Sequence, residues 1–305
     1  MMQTSWHRLI RFIAAQDGRE HYGQPVDDDL DVGQAYHERA SIRVRPLVGS
    51  PFSASATLSP DVVLTVQTLL CPLPPNEVRT IRGLGANFIQ PGQDRIDALS
   101  KRTPIPIVFY KPLTTISSPS TPIVIPPCAA DESDYEAELV VVVSRTCKDV
   151  SPANALQHVL GYTLSNDVTA RSRMKAASQW GLCKSFDTWF PFGPVLVSAS
   201  HRLGISNPDN VHLQLHLNGN LLQDGNTADM LWKVAETVSE LSKGTTLEAG
   251  SLISMGTPPG EGFKRSPPVF LRDGDLAVVK GSNGLGSLIN PVQAQIQPAL
   301  PKPRL

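Results

Sequence analysis

The sequence has no excess of charge of either sign, no apolar run long enough to cross a membrane and no paired-cysteine motif. Its 27 Lys and Arg balance 28 Asp and Glu, a formal net charge of −1, so nothing draws it to nucleic acid or to an anionic membrane. No stretch approaches the roughly 18 consecutive apolar residues of a spanning helix. The opening residues are too short and too polar a stretch for the apolar region of a secretory signal. These absences predict a soluble, cytoplasmic chain whose partner is a small molecule, with no nucleic acid and no membrane. Cys71, Cys128, Cys147 and Cys183 are scattered, which argues against a zinc ribbon or disulfide scaffold and reads as four reduced thiols.

What is present is ordinary for a globular protein: 41% hydrophobic and 18% charged residues in a chain of 305. That length accommodates one large domain and one small one. Residues 9–14 read as a strand followed by a turn at Asp17-Gly18. The acidic run at residues 27–31 reads as a solvated loop. The Pro-rich residues 72–75 follow an apolar stretch and predict a boundary, giving a small β-rich unit over 1–75 and a main body over 76–305.

Beyond the boundary, short apolar runs at 107–110, 123–125, 139–143, 195–197, 212–217 and 276–279 predict strands. Only residues 152–160, with Ser151 as N-cap and Pro152 at the first helical position, and residues 227–241 have helical spacing. The expected class is α+β, predominantly β, with helices decorating a β core.

The chemistry concentrates in Asp134-Tyr135-Glu136-Ala137-Glu138 followed by apolar residues 139–143. In a strand, Glu136 and Glu138 share one face. The apolar residues after them imply a strand buried on both sides, where ionised carboxylates need a compensating cation. A divalent metal meets that need, and hard oxygen donors without Cys or clustered His favour Mg²⁺, Mn²⁺ or Ca²⁺ over Zn²⁺. On this motif alone, two solvated acids at a strand mouth explain the pattern equally well. A second segment, residues 161–171, runs as an apolar-polar strand into Asn166-Asp167, a natural place for a third carboxylate. Lys184 follows between aromatics in Trp180-Gly181-Leu182-Cys183-Lys184-Ser185-Phe186.

With these motifs, roughly residues 85–292 resemble the fumarylacetoacetate hydrolase family. Further matches in the same order are Phe109-Tyr110-Lys111-Pro112, Pro191-Phe192-Gly193-Pro194, Asn218-Gly219, Gln223, Ser242-Lys243-Gly244, Gly256-Thr257-Pro258 and Gly284-Leu285-Gly286. The resemblance implies a mixed β-sandwich roll with a small N-terminal unit, assembled as a homodimer. It implies Glu136, Glu138 and Asp167 as ligands of Mg²⁺ or Mn²⁺, with Ca²⁺ as a stand-in, and a Lewis-acid-stabilised enolate of an oxo-acid or β-diketone. By the same resemblance Lys184 lies beside the metal. Thr257 binds a substrate carboxylate through its hydroxyl and nearby N–H groups, and Arg171, Gln223 and Lys111 contact substrate.

One departure bears on the reaction. Many members read Asn-Tyr-x-x-His-x-x-Glu in a lid, and that His and Glu activate water. Here the lid spans residues 88–103, Pro91 stands at the His position and Asp94 at the Glu position. Proline cannot transfer a proton. Met174, Leu182-Cys183 and Ser251 also replace more polar family residues, which implies a larger or more apolar substrate, as in secondary metabolism. The expected activity is therefore that of a lyase/decarboxylase or isomerase/tautomerase, with water, Lys184 or Asp94 moving protons. A carbon–carbon hydrolase is the alternative, and a metal-free binding or pericyclase scaffold a third. None of the seven histidines offers itself as a replacement base.

Overall fold

The computed structural model describes residues 3–296. Among them, twelve strands form one large mixed sheet. Its main path runs Glu20–Pro25, Arg43–Val48, Leu64–Leu70, Arg8–Ala14, Phe190–Ser198, Val159–Asn166, Ala137–Val143, Leu252–Ser254, Ile81–Gly85 and Ile107–Lys111. A second sheet takes Asn220–Asn226, His212–Leu217, Leu276–Gly281, Gly286–Ala294 and Ile123–Ile125 in that order.

Strand Ala137–Val143 lies in the middle of the large sheet, and all seven of its residues are buried. It is antiparallel to Val159–Asn166, with Glu138 opposite Ser165, and to Leu252–Ser254. Its side chains alternate between two apolar layers. Leu139 and Val141 join Leu213, Leu215, Val279 and Leu288 of the second sheet in the main core. Val140 and Val142 pack with Trp6, Leu9, Phe190 and Phe192. Coverage of both faces explains the unbroken valine run; the α+β, mostly β class agrees with the pattern, and the two packed sheets agree with the sandwich that the resemblance implies.

The large sheet crosses residue 75. Arg8–Ala14 pairs with Phe190–Ser198 through Arg8 opposite Val197 and Leu9 opposite Leu196, as well as with its own neighbours. Within the Pro-rich stretch that follows, Leu73 is completely buried.

Both expected helices are corrected. Over 152–160 only Pro152–Ala155 is α-helical; Leu156–His158 is a 3₁₀ turn and Val159 already pairs with Val143. Ser151 makes no side-chain cap. The run from Val159 is a central strand, and that pairing overrides the local spacing. Over 227–241 the helix is Val234–Ser242, preceded by the 3₁₀ turn Thr227–Asp229. Asn87 causes the break. Its carbonyl accepts from Leu231 N at 2.7 Å, its Oδ1 accepts from Trp232 N at 2.8 Å, and its Nδ2 donates to the carbonyls of Trp232 and Met255. Residues 231 and 232 are thereby held out of helical conformation.

The acidic run is also more than a solvated loop. Asp31 caps the helix Val32–His37 through Gln34 N and accepts from Ser287 N and Oγ, whereas Asp27, Asp28 and Asp29 stay exposed. All four cysteines are free, with Cys71, Cys147 and Cys183 buried. No helix among the described residues is long and apolar enough to cross a membrane.

Candidate active site

At the start of strand Ala137–Val143 the backbone interlocks with the end of Val159–Asn166. Glu136 N donates to Asn166 Oδ1 and Asp167 N donates to the Glu136 carbonyl, both at 2.9 Å. This brings the three expected carboxylates together, with one oxygen of each of Glu136, Glu138 and Asp167 lying within 4.8 Å of the others. All three residues are buried.

Each is held differently. Glu136 accepts from Arg171 Nη2 at 2.6 Å and from Lys184 Nζ at 2.7 Å. Burial alone would raise its pKa, but Lys184 and Arg171 outweigh it and hold the carboxylate at about 2. Asp167 accepts from Lys111 Nζ and Lys184 Nζ, both at 2.6 Å. Glu138 has only neutral donors, Ser254 Oγ at 2.5 Å and Gly256 N at 2.9 Å, and forms no salt bridge among the described residues. Burial, with Asp167 and Glu136 as like charges, pushes it well above the usual carboxylate range.

Charge accounting and donor chemistry both fit a divalent cation. Setting aside Glu132 and Glu261, which pair with Arg173 and Lys264, the buried carboxylates Asp134, Glu136, Glu138 and Asp167 face the buried cations Lys111, Arg171 and Lys184. The uncompensated charge falls on Glu138. A hard ion held by Glu136, Glu138 and Asp167 would neutralise it, and an all-oxygen set suits Mg²⁺ or Mn²⁺.

Glu136, Glu138, Arg171, Lys184 and Thr257 line a cavity of about 580 Å³ whose remaining wall includes Leu84, Phe88, Phe109, Met174, Trp180, Leu231 and Phe263. Two glycines make room for the aromatic wall. A Cβ on Gly83 would lie 2.1 Å from the Phe109 ring, and one on Gly85 would lie 1.7 Å from that of Trp180. Lys184 Nζ sits 4.5 Å from the Phe109 centroid, and the Arg171 guanidinium 4.3 Å from that of Phe263. Asp134 organises this corner, accepting from Arg171 Nε at 2.7 Å and from Gly262 N at 2.8 Å.

Three residues expected to touch substrate lie elsewhere. Lys111 is buried behind Asp167, off the cavity wall. Gln223 is also buried and spends its amide on Ala137 N, Thr257 Oγ1 and the Pro258 carbonyl, so it orients the Thr257 turn. Asp94 is exposed and caps the helix Arg95–Ser100 through Asp97 N. Thr257 does reach the cavity, but its hydroxyl proton is committed to the Ala137 carbonyl at 2.9 Å. Sequence reasoning gave no role to Asp134, although it stands in the acidic motif, or to Ser254, because both roles depend on strands brought together by the fold, and it passed over Glu261 and Lys264, which also line the cavity. No spacing within that turn-rich segment singles out Glu261 or Lys264.

A carboxylate triad at the end of a central strand, beneath an aromatic cavity, has clear relatives. Residues 80–293 match the family described as fumarylacetoacetate (FAA) hydrolase C-terminal. The chain belongs to the fumarylacetoacetate hydrolase family. It is 38% identical over 300 residues to a caffeoylpyruvate hydrolase of Neonothopanus nambi, covering 96% of each chain. It is 34% identical over 298 residues to a mitochondrial oxaloacetate tautomerase of Xenopus laevis, covering 93% of this chain and 90% of the relative. Among solved structures, a fumarylacetoacetate hydrolase from psychrophilic Exiguobacterium antarcticum superposes with a TM-score of 0.78 at 31% identity, over 95% of this chain and all of the other. Relatives of this fold are thus hydrolases and tautomerases acting on small molecules.

Proposed function

We propose that the protein is a divalent-metal-dependent enzyme that forms the enolate of a 2-oxo acid carrying a bulky apolar or aromatic group, with keto–enol isomerisation as its reaction. The observation that carries this reading is the buried Glu136, Glu138 and Asp167 set, of which Glu136 and Glu138 line a cavity walled by Phe88, Phe109, Trp180 and Phe263. When bound there, Mg²⁺ or Mn²⁺ supplies Lewis acidity to the adjacent oxygens of the substrate.

The chain's own residues do the rest. Lys184, held protonated because Asp167, Glu136 and Glu138 outweigh the effect of its burial, stabilises negative charge developing on a substrate oxygen. Among the described residues Arg171 Nη1 is engaged only by Met174 Sδ at 3.7 Å, so it retains donors for a substrate carboxylate. The aromatic wall excludes water and takes the apolar group. Release of CO₂ from a β-oxo acid would draw on the same stabilisation.

A second reading, hydrolysis of a carbon–carbon bond in an acylpyruvate, is favoured by the end-to-end similarity to the caffeoylpyruvate hydrolase. Against it stands the absence of histidine among the described residues lining the cavity, since hydrolysis demands activated water. NMR of an aroylpyruvate, a 2,4-dioxo acid that can either enolise or be cleaved between its two keto groups, with the Mg²⁺-loaded protein tests the choice. Catalysed keto–enol interconversion with carbon skeleton intact is expected; cleavage products favour the second reading, and undiminished turnover in excess chelator overturns both.

A further inference from the structure

Enolate formation requires a base for the proton on carbon, and the lid position that could carry one holds Pro91. We propose that Glu261 is that base, an assignment that rests on the enolate reading above. Among the described residues, three carboxylates line the cavity: Glu136, Glu138 and Glu261. The first two belong to the proposed metal set, and Asp94 is spent on a helix cap. Glu261 is the remaining wall carboxylate.

Its setting differs from that of a surface ion pair. The Glu261 side chain is only 9% exposed, whereas that of its partner Lys264 is 42% exposed. Glu261 Oε1 accepts from Lys264 Nζ at 2.8 Å, and Oε2 accepts from Gly260 N at 3.1 Å. The same Lys264 Nζ donates to Gln90 Oε1 at 2.8 Å, tying the pair to the residue beside Pro91. Glu261 therefore lies on the cavity wall beside Gln90, with Lys264 bridging the two.

The backbone on both sides of Glu261 is fixed. Gly260 has φ +117°, and a Cβ there would lie 2.3 Å from the Leu222 carbonyl oxygen; one on Gly262 would lie 1.7 Å from that of Val269. Gly262 N is also anchored on Asp134 Oδ1. Glu261 is thus held rigidly, as a proton acceptor on a loop must be to act at a fixed point.

The step balances without a redox partner. Glu261 removes a proton from the carbon next to the substrate's 2-oxo group. The C–H electron pair becomes the new C=C bond, and the carbonyl π pair moves to oxygen beside Lys184. Protonation of that oxygen by water gives the enol, and Glu261 returns its proton to solvent; return of the proton from Glu261 to carbon instead regenerates the keto form.

Solvent exchange tests the assignment directly. Phenylpyruvate and Mg²⁺ are incubated with the full chain in D₂O, and deuterium entering the carbon next to the keto group is followed by NMR. Glu261→Gln, which keeps shape and hydrogen-bonding capacity, is expected to slow exchange by about 10²- to 10⁴-fold, with Mg²⁺ affinity and melting temperature matching the parent. Glu261→Asp, with a shorter reach, is expected to recover part of the rate. Exchange by Glu261→Gln within threefold of the parent overturns the proposal, as does loss of Mg²⁺ binding in both variants. A parent protein that accelerates no exchange removes the enolate reading itself.

Discussion

At Glu138 a buried carboxylate sits beside two others with only a hydroxyl and one N–H for company. Removing its charge should therefore have opposite effects with and without metal. Glu138→Gln is expected to weaken Mg²⁺ or Mn²⁺ binding at least about a hundredfold by calorimetry. In metal-free buffer at neutral pH it should raise the melting temperature by at least about 2 °C, because the cost of either protonating or charging this buried carboxyl on folding is gone. The pH dependence has a definite sign. A carboxyl whose folded pKa is raised binds more protons folded than unfolded, so the metal-free protein loses stability as pH climbs from the ordinary glutamate range toward the raised value. Metal binding expels that proton, so the Mg²⁺-induced rise in melting temperature should be larger at pH 8 than at pH 5.5 by scanning calorimetry. A pH-independent increment would contradict the burial argument.

Among elements, Asn87 joins the end of strand Ile81–Gly85 to the residues that precede the helix Val234–Ser242 and to the turn carrying Thr257. Its side chain bridges Trp232 and the Met255 carbonyl. Asn87→Ala would leave several buried backbone groups unpaired and is expected to cost about 2–5 kcal/mol in urea denaturation. Strand Ile81–Gly85 makes a different contribution, because its glycines leave space for the aromatic wall. Gly85→Ala should push the Trp180 ring outward. Trp180 is partly exposed, so the stability loss should stay below about 1.5 kcal/mol. The fluorescence should shift to the red, since Trp6, Trp189 and Trp232 are buried. Unchanged emission would mean the ring has not moved.

At the scale of the molecule, the first 75 residues and the remainder share one sheet through the pairing of Arg8–Ala14 with Phe190–Ser198. Trp6 and Leu9 also pack in the same apolar layer as Val140 and Val142. We expect unfolding in urea to be one transition, with tryptophan fluorescence and far-UV circular dichroism superimposing. An early separate step would show that residues 1–75 are energetically independent.

The periodicity of Glu136-Ala137-Glu138 and the apolar run behind it determined a buried strand carrying two acids on one face, because side-chain alternation is a local property. Family motifs added Asp167 and Lys184, and the fold brings all four together. Local spacing failed where distant partners intervened: Val159 joined a central strand, and Asn87 drew residues 231 and 232 out of a helix. Tertiary structure alone decided that Lys111 and Gln223 stand behind the site, that Asp94 is spent on a cap, and that Glu261 lies on the cavity wall. Which face of a loop turns inward depends on strands far away in the chain, and no pattern within the loop encodes it.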